Sequence, residues 1–376
     1  MRSILIMAGG TGGHVFPALA VADYIQAQGW QVLWLGTKTG MESTLVPAKG
    51  YAITWLNFSG VRGKGWLRLV LLPMQLLFAF GQCAKAIFKL RPDVVLGMGG
   101  YAAFPGGLMS VLLARPLVIH EQNSIAGLSN RVLACMADKV LVAFPRAFMN
   151  KADKPILCRE LKKAWCGNPV RAEIMGVAPP EERMAQRTGN LRLLVVGGSL
   201  GAAILNEVVP QALALIPIEK RPMVVHQAGK NQFDKLSQHY RLANVQAELK
   251  AFIEDMAAQY EWSDVVICRA GAMTVAELAC AGAASILVPF PYAVDDHQTS
   301  NARFLSEERA AILLPQTELH PQKLAELLMS LTRQTLVQLA VEARRLGKPR
   351  ATEEVAQQCM ALANNGKNDT AKCATK

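Results

Sequence analysis

Short apolar runs alternate along the chain with longer segments in which apolar residues have helical spacing. This alternation is typical of parallel βαβ units. It predicts an α/β protein built on doubly wound parallel sheets. The predicted strands are Ser3 to Met7, Gln31 to Leu35, Val94 to Leu96, Leu117 to His120, Val140 to Ala143, Leu191 to Val196, Met223 to Gln227, Val265 to Cys268 and Ser285 to Val288.

The order of these features repeats within the chain. The segments ILIMAGGTGGH and LRLLVVGGSLGA each predict a strand, a glycine-rich loop and a helix of small residues, with Gly9 and Gly197 in equivalent places. The tripeptide DVV, at 93–95 and again at 264–266, begins a later strand in each half. We therefore predict two similar domains, residues 1–166 and 167–344, and a disordered polar tail at 366–376.

Composition agrees with a folded protein of this size. At roughly 150 residues per domain, 376 residues correspond to two or three domains. A content of 51% hydrophobic and 18% charged residues is too apolar for a disordered chain. Eight cysteines without a C-x-x-C pair argue against a zinc ribbon or a dithiol redox site and favour a reducing cytoplasm. The start MRSILIMAGG lacks the regions of a signal peptide, so we expect no export.

The net charge of +11 is concentrated in the first half of the chain. Residues 1–150 have a net charge of +8, and no acidic residue occurs between Glu42 and Asp93. This stretch contains an apolar run from Leu69 to Phe80, interrupted by Pro73 and Gln75, which is shorter than the roughly 20 residues that span a bilayer. It predicts either a buried helix, expected to kink at the proline, or an amphipathic helix on an anionic membrane surface. The face expected to meet the membrane comprises Leu69, Leu72, Leu76 and Phe80, flanked by Arg62, Lys64, Lys85 and Lys89. Nucleic acid is not predicted as a partner, because aromatic and basic residues do not interleave.

The first glycine-rich loop, GGTGGH at Gly9 to His14, follows a strand and opens a helix. Such a loop presents backbone amides and the positive end of a helix dipole to an anion or a polar substrate. It differs from a dinucleotide fingerprint, because Val15 replaces the third glycine, and from a Walker A loop, because no Gly-Lys-Ser/Thr follows. A tight turn without a ligand is the alternative.

The second loop, Gly197 to Gly201, matches the G-x-S-x-G pattern of a nucleophile elbow. A serine hydrolase would then have to use Asp264 and His297, but no HGGG-type oxyanion segment precedes the loop. Its repeat of the first loop favours a phosphate or sugar-diphosphate site. The chain has no D-x-D and no H-E-x-x-H motif, so we predict no metal and no other cofactor.

Six motifs, in order along the chain, together resemble the MurG family of UDP-N-acetylglucosamine transferases. They are GGTGGHVFPALA, the segment GMGGYAAFPG at Gly97 to Gly106, HEQN at His120 to Asn123, GNPVR, GGSLGA and RAGAMTVAEL at Arg269 to Leu278. The resemblance implies a GT-B fold, with two Rossmann-like domains facing a cleft and a C-terminal helix, about 345–364, packing back on the first domain. It implies inverting, metal-independent transfer of N-acetylglucosamine from UDP-N-acetylglucosamine to the C4 hydroxyl of lipid I, which gives lipid II for peptidoglycan synthesis, and thus a part in cell shape and division.

The resemblance also implies the surroundings of the enzyme. Lipid I is held in the membrane, so the protein is expected at the cytoplasmic face of the cell membrane as a peripheral protein. Its expected partners are UDP-N-acetylglucosamine, lipid I, an anionic membrane surface and other proteins of cell-wall synthesis.

For the donor, the resemblance implies that backbone amides around Ser199 and the guanidinium of Arg171 face the diphosphate. Glu277 would accept both ribose hydroxyls, Ile253 would contact the uracil through its backbone, and Gln298 would bind the hydroxyls of the sugar. The residues expected to line the sugar nucleotide are Ala272, Met273, Thr274, Val275 and Ala276.

For the acceptor, His14 is the leading candidate for the catalytic base, because imidazole titrates near neutral pH. Glu121 is the second candidate, and the family pattern does not decide between them. Either residue could instead be structural. Asn123 would contact the transferred sugar, and the pocket would be shaped by Thr11, Gly12 and Gly13.

Two other interpretations remain open at this point. One is a GT-B enzyme with another acceptor, or a UDP-sugar epimerase of related fold. The other is a non-catalytic membrane scaffold that binds a nucleotide only to dock a partner.

Overall fold

A computed structural model describes residues 1–58, 65–149, 163–198 and 201–373, with side chains except at 65–71, 294 and 365–373. The chain divides into two compact units. The first comprises Met1–Arg171 and Pro349–Lys376, and the second comprises Ala172–Lys348. In the described residues each unit contains one parallel β-sheet, so the predicted α/β class is confirmed.

The described residues of the first unit form a seven-stranded sheet in the order β3-β2-β1-β4-β5-β6-β7. The order of the strands along the chain reverses between β1 and β4, and in such sheets ligands bind at the carboxyl ends of the strands at this point. The strands are β1 (Ser3–Met7), β2 (Gln31–Thr37), β3 (Ala52–Leu56), β4 (Val94–Gly97), β5 (Leu117–Glu121), β6 (Lys139–Val142) and β7 (Lys163–Trp165). The helices between them are α1 (Gly12–Ala27), α2 (Glu42–Ala48), α3 (Gly65–Leu90), α4 (Ala103–Leu112) and α5 (Leu128–Ala134).

The second unit has a six-stranded sheet in its described residues, in the order β10-β9-β8-β11-β12-β13, with the reversal between β8 and β11. Its strands are β8 (Arg192–Val196), β9 (Met223–Gln227), β10 (Glu248–Lys250), β11 (Val265–Cys268), β12 (Ser285–Leu287) and β13 (Ile312–Leu313). Its α-helices are α6 (Ala172–Met175), α7 (Pro180–Met184), α8 (Ala203–Ala214), α9 (Phe233–Ala243), α10 (Met256–Trp262), α11 (Ala272–Ala281), α12 (His297–Ser306), α13 (Pro321–Ser330) and α14 (Arg333–Leu346). Short 3-10 helices occur at Ile218–Lys220, Val294–Asp296 and Gln316–Glu318, and the chain returns to the first unit as α15 (Ala351–Cys373).

Strand β1 shows why the first sheet is buried on both faces. Successive side chains of a strand point to opposite faces. Ile4 and Ile6 pack in a cluster with residues of α1 and α15, whereas Leu5 and Met7 pack in a cluster with residues of α3, α4 and α5. A strand covered on both faces reads as a continuous apolar run, which is the pattern that predicted it.

The internal repeat is visible in the way each central strand begins. The carboxylate of Asp93, before β4, accepts a hydrogen bond from the amide of Ser3 at the start of β1 (2.8 Å). The carboxylate of Asp264, before β11, accepts one from the amide of Arg192 at the start of β8 (3.0 Å). The two DVV segments therefore hold the amino ends of equivalent strand pairs.

Four strands are absent from the sequence-based prediction: β3, β7, β10 and β13. Each lies at or near an edge of its sheet and is short or only partly buried, so its apolar signal is weak. The division between the units falls at Arg171 and Lys348, whereas the sequence predicts 166 and 344. Helix α15 also continues to Cys373, into the tail predicted to be disordered, where no proline interrupts the backbone.

The apolar side chains of α3 that were predicted to face a membrane are not the most exposed ones in the part of the helix whose side chains are described. Leu72, Leu76 and Phe80 are partly buried, and the Phe80 ring lies 6.2 Å from that of Phe104 in α4. In the part of α3 from residue 72 onward, the exposed large apolar side chains are Met74, Leu77, Phe78 and Phe88, at 69%, 68%, 61% and 69% exposure. The helix also continues through Pro73, whose side chain is exposed. Arg62 and Lys64 lie outside the described residues, as does the side chain of Leu69.

Candidate active site

In the first unit, the loop after β1 is held against the loop after β4. Gly10 and Gly100 both have a φ of +87°, which favours glycine. A Cβ on Gly100 would lie 2.3 Å from the carbonyl oxygen of Gly9, so only glycine permits this approach. Because the strand order reverses between β1 and β4, the loop from Gly9 to His14 lies at the position where such sheets bind ligands.

A fully buried carboxylate, Glu42 at the start of α2, holds this loop. Its Oε2 accepts a hydrogen bond from the amide of Gly10 (2.8 Å). Its Oε1 accepts hydrogen bonds from the amide (3.0 Å) and the hydroxyl (2.7 Å) of Thr37. A Cβ on Gly9 would lie 2.5 Å from Oε1, so the glycine makes room for the carboxylate.

The contact with Glu42 corrects one expectation about the loop. The sequence predicts that the loop presents its backbone amides to an anion, but the amide of Gly10 is already bound by a carboxylate. The first amides of a helix have no acceptor within it, and α1 begins at Gly12. If the loop binds an anion, as predicted, the amides of Gly12 and Gly13 remain for it, whereas that of Gly10 does not.

His14, in the first turn of α1, is partly buried and its ring is oriented by Gln122. The Nδ1 atom lies 3.1 Å from Oε1 of Gln122, which directly follows β5. The Nε2 of Gln122 donates to the carbonyl of Met98 (2.8 Å), and Gln122 is only 1% exposed. A Cβ on Gly99 would lie 2.7 Å from Nδ1, so the loop after β4 also packs on the ring.

Glu121 is buried with both carboxylate oxygens engaged. Its Oε1 accepts from the amide of Asn123 (2.9 Å), and its Oε2 accepts from the amide of Gly127 (3.2 Å) and from Nδ2 of Asn130 (2.9 Å). Burial raises the pKa of Glu121, and these hydrogen bonds oppose the rise. The geometry favours a structural role, in which Glu121 holds the segment that carries Asn123.

The neighbouring His120 is fully buried and stays neutral. Its Nε2 donates to the carbonyl of Gly167 (2.9 Å). Burial lowers the pKa of His120 to about 4; the hydrogen bond opposes this change and the charge of His14 adds to it. The other predicted acceptor residues lie at the surface of this unit: Thr11 and Gly13 are exposed, and Gly12 and Asn123 are partly exposed.

In the second unit, the loop after β8 repeats the tight packing of the first. A Cβ on Gly197 would lie 2.4 Å from the amide nitrogen of Ala202, and Gly198 and Gly201 have φ values of +81° and +78°. Gln227, at the end of β9, donates through Nε2 to the carbonyl of Gly198 (2.9 Å). Ser199, predicted to face the diphosphate, lies outside the described residues.

The residue predicted to contact uracil, Ile253, is tied to the same glutamine. Its amide donates to Oε1 of Gln227 (3.2 Å), and its side chain is buried. A backbone contact between Ile253 and a base can therefore use the carbonyl but not the amide.

The remaining predicted donor residues lie mainly on α11, which follows β11, the neighbour of β8 in the sheet. Residues 272–276 form the start of this helix, and the hydroxyl of Tyr260 donates to Oε2 of Glu277 (3.3 Å). The Oε1 of Gln298 accepts from the amide of Phe290 (2.9 Å), so the amino group of Gln298 is the part that can donate to a hydroxyl. Arg171 is the last residue of the first segment of the first unit, so its contact with the diphosphate stays a prediction.

The serine-hydrolase interpretation conflicts with the position of Asp264. This residue precedes β11 at the amino end of the sheet, whereas the glycine loop follows the carboxyl end of β8. Its buried carboxylate pairs with Arg187 (2.7 Å) and Arg333 (3.2 Å). It therefore cannot complete a triad with His297.

In the described ranges of the chain, no group of three or more His, Cys, Asp or Glu side chains could hold a metal ion. No helix in the same ranges is both long and apolar enough to cross a bilayer.

Four residues that shape these sites were not predicted from the sequence: Glu42, Gln122, Gln227 and Arg269. Arg269 donates to the carbonyls of Val288 and Pro289 (3.1 Å each) and lies 5.4 Å from the ring of Phe290, so it fixes the segment held by Gln298. Gln122 lies in the motif HEQN and Arg269 in the motif RAGAMTVAEL, so both could have been considered as site residues from the sequence. Glu42 and Gln227 carry no such signal.

Both parts of the chain match a known family. Residues 4–142 match the glycosyltransferase family 28 N-terminal domain, and residues 192–358 match the glycosyltransferase family 28 C-terminal domain.

Individual relatives cover nearly the whole chain. It is 58% identical over 362 residues to the UDP-N-acetylglucosamine--N-acetylmuramyl-(pentapeptide) pyrophosphoryl-undecaprenol N-acetylglucosamine transferase of Thiobacillus denitrificans, covering 96% of this chain and 98% of the relative. It is 58% identical over 361 residues to the protein of the same name from Nitrosospira multiformis, covering 96% and 99%. Among solved structures, MurG of Acinetobacter baumannii is 40% identical with a TM-score of 0.82, covering 96% of this chain and all of that one.

Proposed function

The chain belongs to the MurG family within glycosyltransferase family 28, and from this we infer that it transfers N-acetylglucosamine from UDP-N-acetylglucosamine to lipid I, the undecaprenyl-diphosphate-linked muramoyl pentapeptide. The fold is GT-B, with two Rossmann-like domains. The observation that carries the function is the identity of 58% to transferases of that name over 96% of the chain. The enzyme is a hexosyltransferase of peptidoglycan synthesis, and its product is lipid II.

We propose that transfer proceeds by one in-line displacement with inversion. The oxygen of the C4 hydroxyl of the muramoyl sugar forms a bond to C1 of N-acetylglucosamine. The bond between C1 and the diphosphate oxygen breaks, and UDP leaves with that electron pair. The hydroxyl proton passes to a base, and the developing charge on UDP needs nearby hydrogen-bond donors or cations.

We assign the base to His14. Its ring lies at the reversal of strand order in the first unit, which is where such sheets bind ligands, and it is partly exposed. The competing Glu121 accepts hydrogen bonds from the backbone of Asn123 and Gly127 and from the side chains of Asn123 and Asn130, so both of its oxygens are engaged. Thr11, Gly12, Gly13 and Asn123 complete the acceptor side in this proposal.

The donor is assigned to the second unit. Glu277, beside the Tyr260 hydroxyl, would accept the ribose hydroxyls, and Gln298 would donate to the sugar. Residues 272–276 would line the sugar nucleotide, and Ile253 would read the base through its carbonyl. Ser199 and Arg171 would stabilise the departing diphosphate in place of a metal.

We further propose that the enzyme binds the cytoplasmic face of the cell membrane through α3. Met74, Leu77, Phe78 and Phe88 recur at helical spacing and share one exposed face. Lys85 and Lys89 are exposed on the same helix, and no acidic residue occurs between 43 and 92. An apolar face with cationic margins suits an anionic interface.

The activity is tested by supplying purified protein with UDP-N-acetylglucosamine and a lipid I analogue that has a short, soluble chain. We expect UDP release together with incorporation of N-acetylglucosamine into the acceptor, persisting in excess EDTA. UDP release or sugar turnover without the acceptor would contradict the transferase assignment. A strict requirement for added Mg²⁺ would contradict the assignment of Arg171 and Ser199 to the leaving group.

A further inference from the structure

The two neighbours of the buried Gln122 side chain determine how its amide is oriented. The carbonyl of Met98, 2.8 Å away, can only accept a hydrogen bond, so the atom facing it is the amide nitrogen. The amide oxygen therefore faces Nδ1 of His14 at 3.1 Å. An amide oxygen also only accepts, so Nδ1 must carry a hydrogen and donate it.

The state of the other ring nitrogen follows from this contact. A neutral imidazole carries one hydrogen, so when it is on Nδ1 the basic lone pair is on Nε2. We propose that Gln122 is a positioning residue that holds His14 in the tautomer whose Nε2 can take the proton of the acceptor hydroxyl. The catalytic meaning of this inference rests on the proposed base role of His14, whereas the tautomer itself does not.

The surroundings explain why a neutral partner suits this position. Titratable groups near the start of α1 include Glu42, whose carboxylate binds Gly10, Tyr101, which faces Gly10, and His120, with Glu121 directly before Gln122. The carboxylate of Glu42 is bound to Gly10 and Thr37, and that of Glu121 is bound to its own segment. A carboxylate in place of Gln122 would stabilise the imidazolium, which cannot accept a proton. An amide fixes the ring without adding that charge.

Two substitutions separate the contact with His14 from the contact with Met98. Gln122→Met removes both contacts, whereas Gln122→Glu keeps an acceptor for Nδ1 but loses the donor to Met98. A matched control is Gln227→Met, which removes the equivalent bridge in the second unit and should leave the His14 tautomer unchanged.

The direct readout is the 15N spectrum of histidine-labelled full-length protein, with the His14 signals assigned by their loss in His14→Ala. We expect wild type at neutral pH, and Gln122→Glu at a pH above its shifted acidic limb, to show Nδ1 protonated and Nε2 unprotonated. Gln122→Met should shift the tautomer ratio by about threefold to tenfold, which is the effect of losing one hydrogen bond. A wild-type spectrum with Nε2 protonated, or an unchanged ratio in Gln122→Met, would overturn the proposal.

The kinetic readout uses the pH–rate profile with the soluble acceptor. Gln122→Met should lower kcat by about tenfold at every pH. Gln122→Glu should move the acidic limb to higher pH, because the added carboxylate favours the imidazolium, while retaining activity on the alkaline side. Identical profiles for the two variants would contradict a role through His14. If His14→Ala retains wild-type kcat, the base assignment fails, and the 15N spectra still decide the tautomer.

Discussion

Replacing Leu77 and Phe78 by Ser should detach the enzyme from anionic vesicles without unfolding it. Both side chains are about two-thirds exposed, so they contribute little to the core. Full burial of such a side chain is worth about 1.5–3 kcal/mol, so inserting the exposed part of each yields about 1–2 kcal/mol. The pair therefore accounts for about 2–4 kcal/mol, and its loss should weaken vesicle binding by roughly 30-fold to several hundredfold.

Charge and apolar contact can be separated with salt. Each cation near an anionic surface contributes about 1 kcal/mol, and this attraction is screened over about 10 Å at 0.1 M salt. Lys85→Glu should therefore weaken binding most at low salt, whereas the serine pair should weaken it at every salt concentration. Cosedimentation with vesicles of anionic and neutral lipid, from 0.05 to about 0.5 M salt, measures both effects.

The matched control is Ile218→Ser with Leu242→Ser, which removes two equally exposed apolar side chains from the second unit. These changes should leave vesicle binding unchanged. Turnover on the soluble acceptor should be unaffected by the α3 pair, since α3 carries no proposed site residue. Undiminished vesicle binding by the Leu77 and Phe78 variant, with its melting temperature retained, would refute the assignment of this face to the membrane.

Four further outcomes test the site. His14→Ala should lower kcat by about a hundredfold or more, and by more than Glu121→Gln does; steady-state kinetics that give the reverse order would return the base role to Glu121. Glu277→Ala should weaken UDP-N-acetylglucosamine binding by about 1.5–3 kcal/mol, measured by calorimetry, and an unchanged affinity would place Glu277 away from the ribose. Glu42→Gln should lose about 1.5–3 kcal/mol of stability, because one of its oxygens becomes a donor facing other donors. We expect its melting temperature to fall by about 3–12 °C and kcat/KM for the acceptor to fall while donor affinity stays constant. For His120, the folded pKa of about 4 lies below the ordinary 6.5, so between these values the unfolded chain binds a proton that the folded protein does not. The contribution of His120 to the free energy of unfolding is therefore fully present above pH 6.5 and falls by about 3 kcal/mol as the pH is lowered toward 4. In urea unfolding over this pH range, His120→Gln should lose less stability than the wild type does.

Central strands were predictable because burial on both faces leaves an unbroken apolar run. All nine predicted strands correspond to strands in the structure, including β1 and β8 at the two reversals of strand order. The edge strand β3, with the sequence AITWL, is mostly only partly buried and follows the short helix α2, so its pattern does not stand out. An edge strand that is only partly buried therefore shows a weaker apolar pattern than a central strand.

The orientation of α3 could not be predicted from apolar spacing, because both sides of the helix are apolar. Leu72, Leu76 and Phe80 satisfy helical spacing as well as Met74, Leu77 and Phe78 do. Which set is buried depends on where α4 packs, and the contact of Phe80 with Phe104 decides it. When both sides of a helix are apolar, the spacing of its apolar residues does not indicate which side is buried.

The glycines of the loop from Gly9 to His14 also show how far the sequence alone can predict a site. A glycine indicates that something approaches closely, but not what approaches. Around Gly9, Gly36 and Gly40 the approaching group is one side chain, Glu42, which a Cβ would meet at 2.5, 2.8 and 2.0 Å. These glycines therefore make room for a buried carboxylate rather than for a ligand. The positive end of α1, formed by Gly12 and Gly13, is thereby left as the part of GGTGGH that can bind an anion. The motif predicts a site in this loop, whereas the part of the loop that is bound by Glu42 depends on a residue more than thirty positions away from Gly9.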